Sequence, residues 1–374
     1  MAEMKAPGRT RGRLIGGVLL GLVLGALSPY MLAFASLLFL APVLTARLYA
    51  FAGVWPAVVS CLAQIGAAYA FFGPALAAIV LLLLVAPLMA TLWLVQGGRS
   101  LADVLRLSIP IWMLCAALSV AVAHWAAGTN LADYIANLLR GQIESMPSGM
   151  QDVFLSLIYG GETPAALNFL TYNLGFMDPT ERARGIASLT EMVRNTLALY
   201  MTGMLLSSAA LTALLCAAWP MRCLDREGRL EKGRWMPLSG WHLPGSLAVC
   251  AAVSFVAALI VSALSPVSQA QSVCVAVQML AALAFRVQAV GSLERRLGTM
   301  GVRPGMRAFL IVVLLLVAPL SELMVYYGMV SALFGPTHGV VTRYLERRRK
   351  ERGDGDEFPD DHDDGSDGND GEGN

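Results

Sequence analysis

Apolar runs of about 20 residues, separated by short islands of charge, constrain this chain more than any other feature. A helix rises ~1.5 Å per residue, so about 20 residues cross the ~30 Å hydrocarbon core of a bilayer. Backbone groups find no water there, so a crossing segment is a helix or part of a closed barrel. These runs are rich in Leu and Ala and lack the period-2 alternation of barrel strands. Charged residues make up 14% of the 374, against roughly 25% in soluble domains, and mean hydropathy is +0.61. The sequence therefore predicts an all-α polytopic membrane protein, a bundle of about 8–10 transmembrane helices.

Candidate spans lie at 14–29, 31–48, 50–72, 74–96, 105–127, 196–219, 244–264, 268–289 and 308–335, with the join near Ser28 and Pro29 the weakest boundary. Leu14–Leu27 has the basic flank and the length of a signal peptide. Because another apolar run follows directly, it is read as an uncleaved first span. Cytoplasmic loops collect Lys and Arg, which places the basic N-terminus (Lys5, Arg9, Arg11, Arg13) in the cytoplasm of a bacterial cell, in its inner membrane. Alternation then puts Arg47, Arg99, Arg106, the Arg222–Arg234 loop and the Arg286–Arg307 loop on that side. The last run breaks the pattern. One crossing at 308–335 would export Arg343 and Arg347–Lys350, and Pro319, Ser321 and Glu322 sit near its middle. The expectation is a re-entrant or broken helix at 308–335 and a cytoplasmic C-terminus.

The resulting plan has a basic cytoplasmic N-terminus (1–13), a first transmembrane bundle (14–127) and an extracytoplasmic or interfacial helical segment (128–195). A second bundle (196–335), a basic juxtamembrane segment (336–352) and a disordered acidic tail (353–374) follow. In the central segment Leu131, Tyr134, Ile135, Leu138 and Ile143 recur at helical spacing opposite Asp133, Asn137, Arg140 and Glu144. That suits a helix in the interface or over the bundle mouth. Asp178-Pro179-Thr180-Glu181 carries helix-start signals, predicting a long helix from there through Trp219 with only its second half in lipid.

Few residues suggest chemistry. The six cysteines contain no CxxC and sit mostly within apolar runs, and the four histidines are scattered, so no metal, cofactor or disulfide framework is expected. Asp360, His362, Asp364 and Gly365 loosely echo a calcium loop, but Gly371 stands where that loop needs Glu. A net charge of +1 implies no particular partner beyond the lipid bilayer, and no nucleic acid. No GxxxxGK[ST], HExxH or GxSxG occurs, and the chain is read as no enzyme. Glu322 is the most informative residue, because a carboxylate inside an apolar run faces a cavity or a partner. The plainer alternative is a hairpin tip or a pairing with Arg. Tyr326 and Tyr327 follow it, and Gln64, Gln278 and Gln288 either line a pathway or bond neighbouring helices. Glu322, Tyr326 and Gln278 are the candidate substrate-binding residues. His124 and Trp125 read as an interfacial anchor, and Arg286 as a side chain snorkelling to the cytoplasmic surface. Gly17, Gly21 and Gly25 form a small-residue stripe that admits another helix closely. It serves either a contact within the chain or the docking of another subunit.

The order of spans, the Trp241-His242-Leu243-Pro244 entry into a span, the Gly335-Pro336-Thr337 ending and the basic Arg343–Lys350 run resemble the YybS-like family of bacterial membrane proteins, a domain of unknown function. That family is distantly similar to the substrate-binding subunits of energy-coupling-factor transporters, which dock a coupling protein through a small-xxx-small face on their first helix. The resemblance implies a small-solute-binding transporter component, with Gly17, Gly21 and Gly25 as the partner-helix interface to a separate coupling subunit with ATPases. A non-transporting scaffold or assembly protein is the alternative, and a membrane-embedded enzyme the second. The solute and the oligomeric state are not legible.

Overall fold

A computed structural model of the chain describes residues 7–33, 40–159, 179–231, 233–264, 268–335 and 341–345, and every regular element among them is helical. The acidic tail, its calcium-like stretch and most of the basic juxtamembrane segment lie outside the described residues.

Local chemistry sets the breaks. Helix α1 (Pro7–Ala33) runs unbroken past Ser28 and Pro29, so the expected boundary there is absent. Helix α2 (Leu40–Ala52) has 13 residues, ~20 Å, too short to cross a bilayer alone. It ends at Gly53, whose φ of 93° suits only glycine. Helix α3 (Val54–Phe72) ends likewise at Gly73, φ 87°, and Pro74 opens α4 (Pro74–Gln96). A π-turn at Leu81–Val85 precedes Pro87; the wider turn accommodates a ring with no N–H to donate. The Thr91 hydroxyl donates to the Pro87 carbonyl (2.8 Å) and accepts from the Trp112 indole (2.9 Å). Trp112 belongs to α5 (Leu101–Ala127), which Ser100 caps and Gly128 closes in the left-handed region.

Beyond α5, α6 (Leu131–Ser145) and α7 (Ser148–Tyr159) precede α8 (Pro179–Arg226). Helix α8 has 48 residues, so at ~72 Å it is more than twice the apolar thickness it would cross. Pro179 opens it as expected, while Asp178 lies outside the described residues. Its polar first half carries a small core of its own, in which Ile143, Leu155, Ile186 and Leu189 are buried together. Arg194 pairs with Asp133 near one end of α6 (2.8 Å) while Ile143 meets Ile186 and Leu189 near the other, so α6 runs antiparallel along α8. The inward side of α6 carries Ala132, Ala136 and Ile143, while Tyr134, Ile135 and Leu138 of the expected apolar stripe are exposed. Alanines let the two helices approach, whereas the bulkier side chains would hold them apart. Arg182 grips Asp152 with two bonds (2.6 and 2.9 Å), and these raise the guanidinium pKa further above its ordinary value.

The remaining elements are α9 (Gly245–Leu264), α10 (Ser268–Thr299), α11 (Pro304–Leu316) and α12 (Ala318–Phe334). Among the described residues six helices are long and apolar enough to cross a membrane; a bent pair (α11 with α12) and two shorter apolar helices accompany them. The chain is an all-α, multi-pass membrane protein. Its packing inverts the soluble pattern. Ala46, Ala57, Ala68, Ala116, Ala213 and Ala217 are buried, while Leu62, Leu114, Leu118 and Val253 point outward. Small residues bring helix backbones together where lipid removes any hydrophobic drive. Gly203 of α8 shows it: an added Cβ would lie 2.7 Å from the Met279 sulfur and 3.0 Å from Ala276 Cα of α10. Two compact units emerge, Met1–Pro237 with Val253–Leu283, and Leu238–Ala252 with Ala284–Asn374.

Candidate functional site: a broken helical hairpin

Glu322 sits just past the break between α11 and α12. Pro319 has no N–H to donate to the Leu315 carbonyl and its ring crowds that carbonyl, so α11 cannot continue through it, whereas the first turn of a new helix accepts proline. The chain leaves the helix at Val317 (φ −80°, ψ 111°) and bends by 105°. The Ser321 N–H then bonds the Val317 carbonyl (2.8 Å), starting α12.

Contacts within the second unit fix how this hairpin lies on α10. At its first foot, Arg307 donates to Glu294 (2.8 Å). At its second, Ser331 and Ser292 share a 2.5 Å hydroxyl contact, and the Gln288 amide reaches both hydroxyls at 3.4 Å. The Gln288 oxygen also accepts from the Leu243 N–H (2.8 Å), which closes the polar cluster. Gly328 meets the Phe285 backbone so closely that no Cβ would fit. Both feet thus lie beside residues 288–294 of α10. The tip reaches back instead to Arg286, whose Nε lies 3.5 Å from the Ser321 carbonyl and whose Nη2 lies 3.9 Å from the Glu322 carboxylate. That ion pair is loose. Glu322 keeps 70% of its side chain exposed and Arg286 32%.

The candidate residues separate accordingly. Glu322 and Tyr326, four residues apart on α12, share an outward face, with Tyr326 50% exposed. Gln278 is half-buried and belongs to the other compact unit. Arg286 reaches the hairpin tip, at the Ser321 carbonyl and the Glu322 carboxylate. Gln288 bonds neighbouring elements, as one of the two alternatives for it had it. Ser292 and Ser331 escaped sequence reasoning; the signal was the small pair Gly328 and Ala332, four apart on α12, both buried.

The glycine stripe finds its partner inside the chain. A Cβ at Gly17 would lie 2.8 Å from the Pro56 carbonyl, and one at Gly21 would strike the Ser60 carbonyl and stand 2.6 Å from Ala63 Cβ. Gly25 continues the row on α1. Helix α3 thus lies against the face at Gly17 and Gly21, a contact within the chain, which was one of the two alternatives for the stripe. Small residues allow close approach by any helix, and here the second helix along the chain takes it. Elsewhere, Trp125 is 83% exposed, as an interfacial anchor requires. Gln64 donates to Thr45 (3.0 Å), a bond between helices in place of a pathway. Among the described residues no three His, Cys, Asp or Glu side chains converge as a metal site. Searched against protein-family models, curated proteins and solved structures, the chain finds no match in any of the three.

Proposed function

We propose that this multi-pass protein is a small-solute-binding transporter component of a bacterial inner membrane, with both termini cytoplasmic. The broken hairpin α11–α12, with Glu322 and Arg286 at its tip, carries the reading. Interrupted helices within an apolar stretch free backbone carbonyls and place charge where a solute or ion passes, and transporters use them for that. The resemblance to the YybS-like family, and through it to vitamin-transporter binding subunits, points the same way. Coupling to separate ATPases through the Gly17–Gly21 face is not part of the proposal, since α3 occupies it.

The test is a thermal-stability screen of the purified protein in lipid nanodiscs against small cations and polar metabolites, run on the natural chain and on Glu322→Gln. A solute that stabilises the natural chain and loses most of its effect in the variant supports solute binding at the tip. No stabilising compound, with an unchanged melting profile in the variant, favours the scaffold reading. One observation speaks for that second reading: the small helical core of α6, α7 and the first half of α8 leaves Tyr134, Ile135, Leu138, Met150 and Met192 exposed, an apolar surface suited to holding another protein.

A further inference from the structure

We infer that the open hollow at the start of α5, lined by Arg99 of the preceding loop and by Asp103, Arg106 and Leu107 of the helix, is a binding site for the phosphate-bearing headgroup of an anionic phospholipid. Both guanidinium groups are exposed and neither has a partner among the described residues. Asp103, the one acidic lining group, is engaged locally: the Ser100 hydroxyl donates to its carboxylate at 2.7 Å. The hollow therefore offers two uncommitted cations against one occupied anion.

Its framework is pinned in place. Arg234 donates to the Val95 carbonyl (2.9 Å) and the Arg99 carbonyl (3.2 Å), and the Leu101 N–H donates to the Arg234 carbonyl (3.0 Å). The backbone that carries Arg99 is thus clamped before any ligand arrives, which lowers the entropic cost of binding.

Its level in the bilayer identifies the occupant. Directly beyond Arg106, Leu107, Leu114 and Leu118 form one exposed apolar stripe along α5, the surface that acyl chains cover. From Leu107 to the exposed Trp125 is 18 residues, ~27 Å of helix, close to the hydrocarbon thickness. Arg106 therefore stands one step outside the apolar layer at one face and Trp125 at the other. On the same side as Arg99, Trp93 near the end of α4 is 69% exposed, as an aromatic ring at headgroup level is. A headgroup in the hollow would meet both guanidiniums while its chains lie along the leucine stripe. A soluble phosphate would use only the first half of that surface.

The test is the melting temperature and lipid retention (by native mass spectrometry) of the full chain, titrated with phosphatidylglycerol or with phosphatidylcholine of the same acyl chains. The expected result is preferential phosphatidylglycerol retention, falling about fivefold with each of Arg99→Ala and Arg106→Ala and about 25-fold in the double variant. Arg140→Ala, far along α6, retains the preference. Both arginines are exposed, so their loss leaves the fold intact, and the melting curve without lipid checks this. Equal retention of the two lipids, or an undiminished preference in the double variant, overturns the site. Stabilisation by inorganic phosphate alone equal to that by phosphatidylglycerol overturns the lipid as its occupant.

Discussion

Substituting Gly21 by Ala tests the packing that holds α1 in the bundle. The new Cβ would collide with the Ser60 carbonyl and stand 2.6 Å from Ala63 Cβ, both on α3. Ordinary contact begins near 3.4 Å, so α1 has to lift off α3 by close to an ångström, and neither obstacle is a movable side-chain end. Overpacking of this kind costs typically 1–3 kcal/mol. Against it stands the helix propensity gained on replacing glycine by alanine, about 1 kcal/mol. The expected net is a destabilisation of up to about 2 kcal/mol, larger for Gly21→Leu. Gly16 supplies the internal control. It lies on the same helix with nothing within 4 Å of a built Cβ, so Gly16→Ala is neutral or stabilising by up to about 1 kcal/mol. Reversible unfolding in mixed detergent and SDS, followed by tryptophan fluorescence, reads both. If Gly21→Ala behaves like Gly16→Ala, α1 does not pack on α3 through this face, and the stripe is again available to a second subunit.

Removing Asp152 leaves Arg182, whose side chain is 15% exposed, without its two-bonded partner. Hydrogen bonds to a charged group are worth enough that Asp152→Ala should raise amide exchange in α7 and the start of α8 about tenfold or more; unchanged exchange would mean the pair is ornamental. The hairpin makes a topological prediction as well. In a background with the six cysteines replaced, Thr299→Cys and Thr342→Cys are labelled by a membrane-impermeant maleimide from the same side of sealed vesicles, whereas labelling from opposite sides makes α11–α12 a true span.

Much of this architecture was legible because a bilayer leaves a chain few choices. From α3 onward span positions followed from run length, and the start of α8 from Pro179 and Glu181, whereas the expected spans 14–29 and 31–48 are replaced by one helix over 7–33 and a short one over 40–52. The broken hairpin followed from Pro319 together with the cations beyond Thr342. What failed was any inference about which side of a helix faces inward. For α6 the apolar stripe suited either an interfacial or a packed side; apart from Ile143 it faces outward, and Ala132 and Ala136 occupy the packed side, because α8 approaches closely and alanines permit that. The glycines of α1 carried the same ambiguity, since spacing reports that a helix can come close but not which helix does. Arg286 and Glu322 lie 36 positions apart, and no periodicity links them. Only the Pro319 break brings the carboxylate back along α10 to the guanidinium.

The looseness of that pair bears on where the tip lies. A carboxylate at the centre of an apolar helix costs about 2.5–3.5 kcal/mol by insertion scales, and a buried ion pair offsets its desolvation only when its geometry is close. At 3.9 Å with Glu322 70% exposed, this pair does not meet that condition. An ionised carboxylate there calls for water or headgroups, and not acyl chains, beside the outward face it shares with Tyr326. The feet of the hairpin lie beside Glu294 and Ser292, about 9–12 Å along α10 from Arg286, so water reaches the tip from the end of α10 that bears Arg295 and Arg296 or the hairpin lies shallow at that surface. In the first case the break is the floor of an aqueous vestibule, the position from which Glu322 could hold a cationic solute. In the second it is a wedge in one leaflet, and Glu322→Gln would leave every solute response of the protein unchanged.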